Sequence, residues 1–424
     1  MTFSIRPRPA TSSAWAIAAL ASVVVASLAG PAAAQNNVTL DNLRITMPEG
    51  KSTLTIPKVE VTDTNLSRDE VAQLFSSDLD KDRANTLATR MKAARFSIPE
   101  AALAGKEGRV TFGPFVATGI DHGRFEKAAL SGFGGTFTDD KGEEGTVKSG
   151  PLELEGGNLA SVLAAARSGD MAGATVQLGR ISWSGFEASF ADKDTAKTVP
   201  GGNRYTIKLG SLNAQTSYEG AVPLKSSGEL KGFVIEPPKG SGFGKSLADF
   251  GLNRLDLGLA VEAAYDPNAR VLSVKDYTIS GVDAGSLGLS GMFGSLDAGV
   301  FTAVGPVRLK ALFGGDVSQL QAKFVNRGLF EKALAYFAKQ QKKTVDGLRA
   351  EWAAMSTQIL PLLLGGDPAS LSLAQSLQTF INDPKSLTIS LKARGAPVPI
   401  AQLQAIRDPQ TFLALVEVSA KANE

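Results

Sequence analysis

The sequence contains no cysteine. Disulfide bonds, a thiol nucleophile and a metal site built from thiolates are therefore all excluded. Lipid attachment through an N-terminal cysteine, as in bacterial lipoproteins, is excluded as well. The chain must be stabilised without covalent cross-links between cysteines.

An excess of positive charge is also missing. Of the 44 lysines and arginines two lie in the first 34 residues, and none of the 42 acidic residues does, so the remainder carries 42 of each sign. Proteins that bind nucleic acids usually carry a basic excess that neutralises phosphates. We therefore expect no nucleic-acid partner.

The first 34 residues have the pattern of a secretory signal peptide. Arg6 and Arg8 precede an apolar stretch from Ala14 to Leu28, and small residues follow at Ala32–Ala34. The stretch is shorter than the roughly 20 residues that span a bilayer. We expect cleavage after Ala34 and a periplasmic location.

Histidine occurs once, at position 122, so a catalytic triad or a histidine metal site would have to include it. Asp121-His122 is the one candidate acid-base pair, but a related segment carries Asp283-Ala284 instead, which favours a role in a turn. No nucleophile elbow, Ser-x-x-Lys motif or phosphate loop occurs. We expect a non-catalytic protein without metal or cofactor, and the alternative is a periplasmic hydrolase centred on Asp121-His122.

Residues 35–325 are rich in Gly, Ser, Thr, Val and Phe, with short alternating apolar runs typical of antiparallel strands. A helical insertion is predicted near 67–93, because Ser67 and Glu70 form a capping box before an apolar helical stripe. Helical spacing dominates residues 326–424, with short strands among the helices. The fold class is predicted to be α+β, with an elongated, bulged antiparallel β-repeat region followed by a mainly helical C-terminal region.

A weak internal repeat runs through the β-rich region. Residues 110–121 align without a gap on 176–187 and 272–283, and residues 207–212 fit the first half. In each copy the apolar parity changes after the third residue, which requires a β-bulge or a two-residue turn there. We favour a continuous strand with a bulge, and we expect the equivalent residues Phe115, Ile181 and Tyr277 to lie inside.

Three copies of Asp-Pro-x-Ser/Thr-Leu/Phe begin at Asp367, Asp383 and Asp408. Aspartate accepts hydrogen bonds from the free amides at a helix start, and proline suits the first helical position. We expect the first and third copies to begin helices. The middle copy precedes Leu387, Ile389 and Leu391 at strand spacing, which predicts a turn before a strand.

An apolar sheet face must be covered by helices, another sheet, a partner or a ligand. The candidate ligand-facing or partner-facing residues are Phe115, Ile181, Trp183, Tyr277 and Ile279. The segment from Leu255 to Leu289 resembles the repeat units of AsmA-like envelope proteins of Gram-negative bacteria, over about residues 205–310 with an echo at 110–133. The resemblance implies long curved sheets, envelope maintenance and an apolar groove for lipid, although those proteins have a membrane anchor where this chain has a cleavable signal. The expected partner is a lipid acyl chain or an envelope protein, and peripheral contact with a membrane is compatible with both.

Overall fold

The computed structural model describes residues 36–46, 52–76, 81–138, 144–158, 177–192, 203–366 and 368–424. Within these residues the chain forms 20 strands and 11 helices, and each strand pair in the ladders is antiparallel. Most of the helical residues lie late in the chain, so the predicted α+β class is confirmed. The predicted signal peptide lies outside the described residues.

Contacts divide the chain into two compact units. The first comprises the chain up to Ala191 together with Arg204–Asn213, and the second comprises Asp192–Asn203 and Ala214–Glu424. Strand β12 (Arg204–Glu219) contributes residues to both units. The change in composition at Asn326 therefore falls inside the second unit, at the end of a strand.

In the described part of the chain, the first unit begins with two long strands, continues with two helices and eight shorter strands, and ends with another long strand. Its elements are β1 (Asn36–Thr46), β2 (Ser52–Thr64), α1 (Arg68–Gln73), α2 (Lys81–Arg90), β3 (Ala93–Ile98), β4 (Ala101–Gly105), β5 (Gly108–Phe112), β6 (Phe115–Ile120), β7 (Arg124–Leu130), β8 (Phe133–Thr138), β9 (Glu144–Ser149), β10 (Leu152–Asn158) and β11 (Arg180–Ala191).

The helical insertion supplies part of the core of this unit. The Ser67 side chain accepts a hydrogen bond from the Glu70 amide, and the Glu70 carboxylate accepts one from the Ser67 amide, so the predicted capping box is confirmed. Val71 on α1 and Leu87 on α2 are completely buried, in the same cluster as the strand residue Phe96. Burying the apolar stripe of each short helix provides most of its stability.

The second unit alternates long strands with helices. Its elements after β12 are β13 (Val222–Glu236), α3 (Gly242–Asp249), β14 (Leu255–Asp266), β15 (Val271–Gly281), β16 (Gly285–Gly294), α4 (Gly299–Thr302), α5 (Gly305–Phe313), β17 (Asp316–Asn326), α6 (Leu329–Gln341), α7 (Val345–Gln358), α8 (Leu360–Leu363), α9 (Pro368–Asn382), β18 (Ser386–Ala393), β19 (Val398–Pro399), α10 (Ile400–Ala405), α11 (Pro409–Leu415) and β20 (Val416–Ala422). Strands β13 to β18 pair in chain order, and β20 pairs with β18.

The repeat copies differ at the position where the parity changes. Strand β15 continues through Lys275, and its register against β14 leaves Lys275 as an extra residue, so the predicted bulge is confirmed there. At Gly113 the expectation of a continuous strand is wrong, because β5 ends at Phe112 and β6 begins at Phe115 beside other strands. Pro114 has no amide hydrogen to donate to a ladder, which accounts for the break.

Two equivalent glycines show that the repeat nevertheless has a structural counterpart. Gly119 and Gly185 align in the repeat, and their φ angles are 61° and 68°. Before Gly185 strand β11 pairs with β10, and after it the strand pairs with β9. Left-handed backbone is inexpensive only for glycine, so this residue permits the change of partner.

Each of the three Asp-Pro motifs is followed by the predicted element, and Asp367 itself lies outside the described residues. Helix α9 begins at Pro368, and α11 begins after Asp408, whose side chain accepts a hydrogen bond of 2.8 Å from the Thr411 amide. Asp383 stands in the turn before β18. Apolar residues continue at helical spacing from Leu348 to Leu362, but α7 ends at Gln358, and Pro361 belongs to the separate short helix α8. Proline cannot donate the hydrogen bond that a continuous helix requires.

Candidate functional site

The second unit contains a sheet face lined by apolar side chains from neighbouring strands. Residues paired directly across an antiparallel ladder lie on the same face. Two adjacent rows cross the strands from β14 to β18 in this way. They are Leu259, Ile279, Leu287, Phe324 and Leu387, and Val261, Tyr277, Leu289, Ala322 and Ile389.

Four residues in the middle of these rows are open to solvent. Tyr277, Ile279, Leu287 and Leu289 are each between 37% and 45% exposed, and Tyr277 lies opposite Leu289 as Ile279 lies opposite Leu287. We call these four residues the open face. Adjacent exposed apolar side chains mark a surface that can bind an apolar ligand or partner.

Helices cover the same sheet face on the far side of β17. The Phe380 ring of α9 lies 5.8 Å from the Phe324 ring, edge to face, and Phe380 is buried. The Ser376 hydroxyl donates a hydrogen bond of 2.9 Å to the Ala420 carbonyl of β20, and Val418 and Ala420 are buried. Helix α9 thus covers this sheet face at β17 and β20, whereas the face is open at β15 and β16.

The opposite face of these strands is polar. Thr278, Gly288 and Lys323 form one row across β15, β16 and β17, and Ser290 lies opposite Gln321 in a second row. A shallow cavity of about 600 Å³ on this side is lined mainly by serine, glutamine and lysine side chains. The contrast between the two faces indicates that the apolar face is the side suited to an apolar ligand or partner.

The bulge at Lys275 gives β15 its continuous apolar side. Leu272 and Val274 precede it at even positions, and Tyr277 and Ile279 follow at odd positions, so all four side chains reach one face only if a residue is inserted between them. The Lys275 ammonium lies 2.9 Å from the Glu262 carboxylate of β14. This ion pair is exposed to solvent and joins the bulged residue of β15 to the neighbouring strand β14.

The structure separates the five residues proposed from the sequence. Phe115 and Trp183 belong to the first unit, where the Phe115 ring lies 6.3 Å from Phe96 and the Trp183 indole donates a 2.8 Å hydrogen bond to the Ser149 hydroxyl. Ile181 is half-buried in the same unit. Tyr277 and Ile279 belong to the open face of the second unit. The expectation that Tyr277 lies inside is wrong, because no helix is packed over β15 at this point.

Sequence reasoning omitted Leu287 and Leu289 from the candidate residues. Their signal is the alternation of Leu287 and Leu289 with the small residues at 286, 288 and 290, which is typical of a strand with one apolar side. Exposure could not be read from this pattern, because an alternating strand covered by helices has the same sequence signature.

Asp121 and His122 occupy a tight turn between β6 and β7. The Asp121 carboxylate lies 2.8 Å from the Lys92 ammonium and 2.9 Å from the His122 Nδ1, and the Asp121 and His122 side chains are both mainly exposed. The hydrogen bond from Lys92, followed by that from His122, holds the pKa of Asp121 below its ordinary value. His122 has a left-handed φ of 49°, as a turn residue can. The contacts of the pair are those of a turn.

Among the described residues there is no cluster of three or more histidine and carboxylate side chains that could hold a metal ion. In the same part of the chain, every helix is too short or too polar to cross a membrane.

Residues 278–423 match the model of a family described as "Uncharacterized protein". The matched segment begins within β15 and includes Ile279, Leu287 and Leu289, with the helices that cover the rest of the sheet face. No curated protein matches the chain.

Proposed function

We propose that the chain is a non-catalytic periplasmic protein of the cell envelope, and that its open face binds the acyl chain of a lipid. The observation that carries this proposal is the exposure of Tyr277, Ile279, Leu287 and Leu289 on paired strands of one sheet face. The resemblance of residues 205–310 to AsmA-like repeat units supports the same kind of ligand. The alternative partner is an envelope protein that covers this face.

The chemistry of the open face suits hydrocarbon. Three of its side chains are aliphatic and the fourth is a tyrosine. Of the nearby charged residues, Lys275 is the extra residue of the bulge, and Lys323 lies on the opposite face of the sheet. Transfer of apolar surface from water contributes about 25 cal/mol per Å², or about 0.8 kcal/mol for each buried methylene. An acyl chain along the two rows gains this contribution without burying a charged side chain of those rows.

The hydrolase alternative is not proposed. Asp121 and His122 are mainly exposed in a turn, and the Asp121 carboxylate contacts Lys92 as well as His122, which is the arrangement of a surface ion pair.

The sheet offers a matched pair of variants for testing acyl-chain binding. Leu289 and Met292 lie on the same strand and are equally exposed, at 37% each, but they point to opposite faces. Leu289→Asp places a charge on the open face, and Met292→Asp places the same charge on the polar face. A charge without a partner is strongly unfavourable against hydrocarbon.

The parent and both variants are purified from cells, extracted with organic solvent and analysed by mass spectrometry. We expect equal lipid in the parent and Met292→Asp, and a loss of at least about tenfold in Leu289→Asp, which corresponds to about 1.4 kcal/mol. Lipid-free parent protein would contradict acyl-chain binding and leave the protein partner. Equal losses in both variants would show that the lipid does not occupy the open face.

Export is tested separately. The small residues at Ala32 and Ala34 predict that protein recovered from the periplasm begins at Gln35. Intact mass distinguishes this product from the full chain of 424 residues, and recovery of the full-length mass in the cytoplasmic fraction alone would contradict the periplasmic location.

A further inference from the structure

A second group of exposed apolar residues lies where α7 is followed by α8 and α9. Met355, Ile359, Leu362, Leu363 and Leu371 are all exposed, and Leu362 and Leu363 reach 78% and 62%. We call these five residues the hairpin tip. Leu362 and Leu363, at this degree of exposure, lose most of the hydrophobic contribution that folding could provide.

The segment that contains the hairpin tip carries almost no ionisable side chain. Between Trp352 and Asn382 the sequence carries one, Asp367, although charged residues make up 20% of the whole chain. Helix α9 has no acidic residue in its first turn and no basic residue in its last turn. The polar groups in this stretch are hydroxyls and side-chain amides, which are much less costly to remove from water than ions.

The hairpin tip is supported by a packed base. Ala353 and Ser356 of α7 and Ser370 and Ala374 of α9 are buried, and α7 and α9 contact each other. The turn is closed by a 2.7 Å hydrogen bond from the Gly366 amide to the Pro361 carbonyl. Gly365 and Gly366 have φ angles of 93° and 71°, which other residues rarely adopt. The exposed leucines are therefore held outward by an ordered turn.

We propose that the hairpin tip inserts into the interface of a phospholipid bilayer and holds the protein at a membrane surface. The absence of charge matches the boundary between headgroups and acyl chains, where a buried ion is costly. A typical protein interface surrounds its apolar centre with a polar rim. The segment from Trp352 to Asn382 carries one ionisable residue, Asp367, for such a rim, and this composition favours a bilayer over a protein as the occupant.

This inference does not depend on acyl-chain binding by the open face. The open face lies on strands β15 and β16, whereas the hairpin tip lies on helices α7, α8 and α9. Either proposal can fail alone, because one is measured by lipid that copurifies and the other by contact with added vesicles.

The absence of cysteine allows a local measurement. Leu363→Cys gives the chain a single thiol, which is labelled with an environment-sensitive fluorophore such as NBD. With vesicles of phosphatidylethanolamine and phosphatidylglycerol at 3:1, the proposal requires a blue shift, an increase in fluorescence and quenching by lipids brominated near the headgroup. Val304→Cys is the matched control, because Val304 is 61% exposed outside the hairpin tip.

Cosedimentation with the same vesicles gives a second measurement. The double variant Leu362→Ser/Leu363→Ser should bind at least about tenfold more weakly than the parent, because two exposed apolar side chains are lost. Val304→Ser/Val307→Ser removes side chains of similar exposure, 61% and 64%, and should leave binding unchanged. Both double variants and the parent share the N-terminal residues, so any contribution of the apolar segment at residues 14–28 cancels.

Salt separates apolar insertion from attraction to anionic headgroups. High salt screens the attraction between exposed charges. The hairpin tip is proposed to bind through apolar side chains, so its binding should persist at high salt. A label at position 363 that does not respond to vesicles would overturn the proposal and leave a protein as the occupant of the hairpin tip. Loss of binding in the valine variant, or at high salt, would place the membrane contact elsewhere in the chain.

Discussion

Leu287 and Phe324 lie directly opposite each other on β16 and β17, yet the helical cover ends between them. Phe324 is in edge-to-face contact with Phe380 of α9, while Leu287 is 45% exposed. The two side chains lie on the same face of the sheet. They differ in exposure because α9 packs on Phe324. This boundary defines both the packed part of the second unit and its open face.

Packing on the covered side predicts a large loss of stability for Phe380→Ala. The Phe380 ring is buried against Phe324 and Phe330, and removing a buried phenylalanine costs about 3–5 kcal/mol. Tyr277→Ala on the open face should cost less than about 1 kcal/mol, as expected for an exposed residue. Urea unfolding measures both changes. Equal losses would show that the open face is packed in solution.

The bulge predicts that deleting Lys275 is far more damaging than replacing it. Deletion would turn either Leu272 and Val274 or Tyr277 and Ile279 to the polar face, because a shift of one residue reverses the sides of a strand. We expect a loss of more than about 3 kcal/mol, the scale of misplacing two apolar side chains.

Lys275→Ala keeps the bulge and removes only the exposed ion pair with Glu262, which should cost less than about 1 kcal/mol. Chemical denaturation and hydrogen exchange of β14, β15 and β16 check the two variants together. A deletion variant as stable as Lys275→Ala would contradict the assigned register.

The capping box predicts a moderate effect at Ser67. Ser67→Ala leaves the Glu70 amide without its side-chain acceptor and should cost about 1 kcal/mol. Ser67→Asp retains an acceptor at the cap and should restore most of that loss. Thermal unfolding of the three proteins tests this order, and an alanine variant as stable as the parent would show that the cap is not formed in solution.

The turn at Asp121 predicts a dependence on pH. Because Lys92 and His122 hold the pKa of Asp121 below its ordinary value, the carboxylate contributes stability at neutral pH. This contribution is complete above the ordinary pKa of an aspartate and is lost as the pH falls through the lowered pKa of the folded state.

Carboxyl NMR titration measures the pKa of Asp121 directly. Lys92→Ala should raise this pKa toward its ordinary value, and His122→Ala should raise it less, since the hydrogen bond from Lys92 is the larger cause. A larger effect of His122→Ala would reverse this assignment and identify His122 as the main partner of the carboxylate.

Local sequence determined the elements whose causes are local. The capping box at Ser67 predicted a helix start, and Asp408-Pro409 predicted another, because the side chain and the free amides it satisfies lie within a few residues. The change from period-two spacing to helical spacing near Asn326 likewise followed from the alternation of apolar residues.

Tertiary structure decided which apolar surfaces are covered. The repeat made Phe115 and Tyr277 equivalent, but Phe115 packs beside Phe96 in the first unit, whereas Tyr277 is 40% exposed in the second. Strand spacing shows which side chains share a face. The cover of that face depends on where a distant helix such as α9 docks, and this position is fixed by contacts such as Phe324 with Phe380, far apart in the sequence.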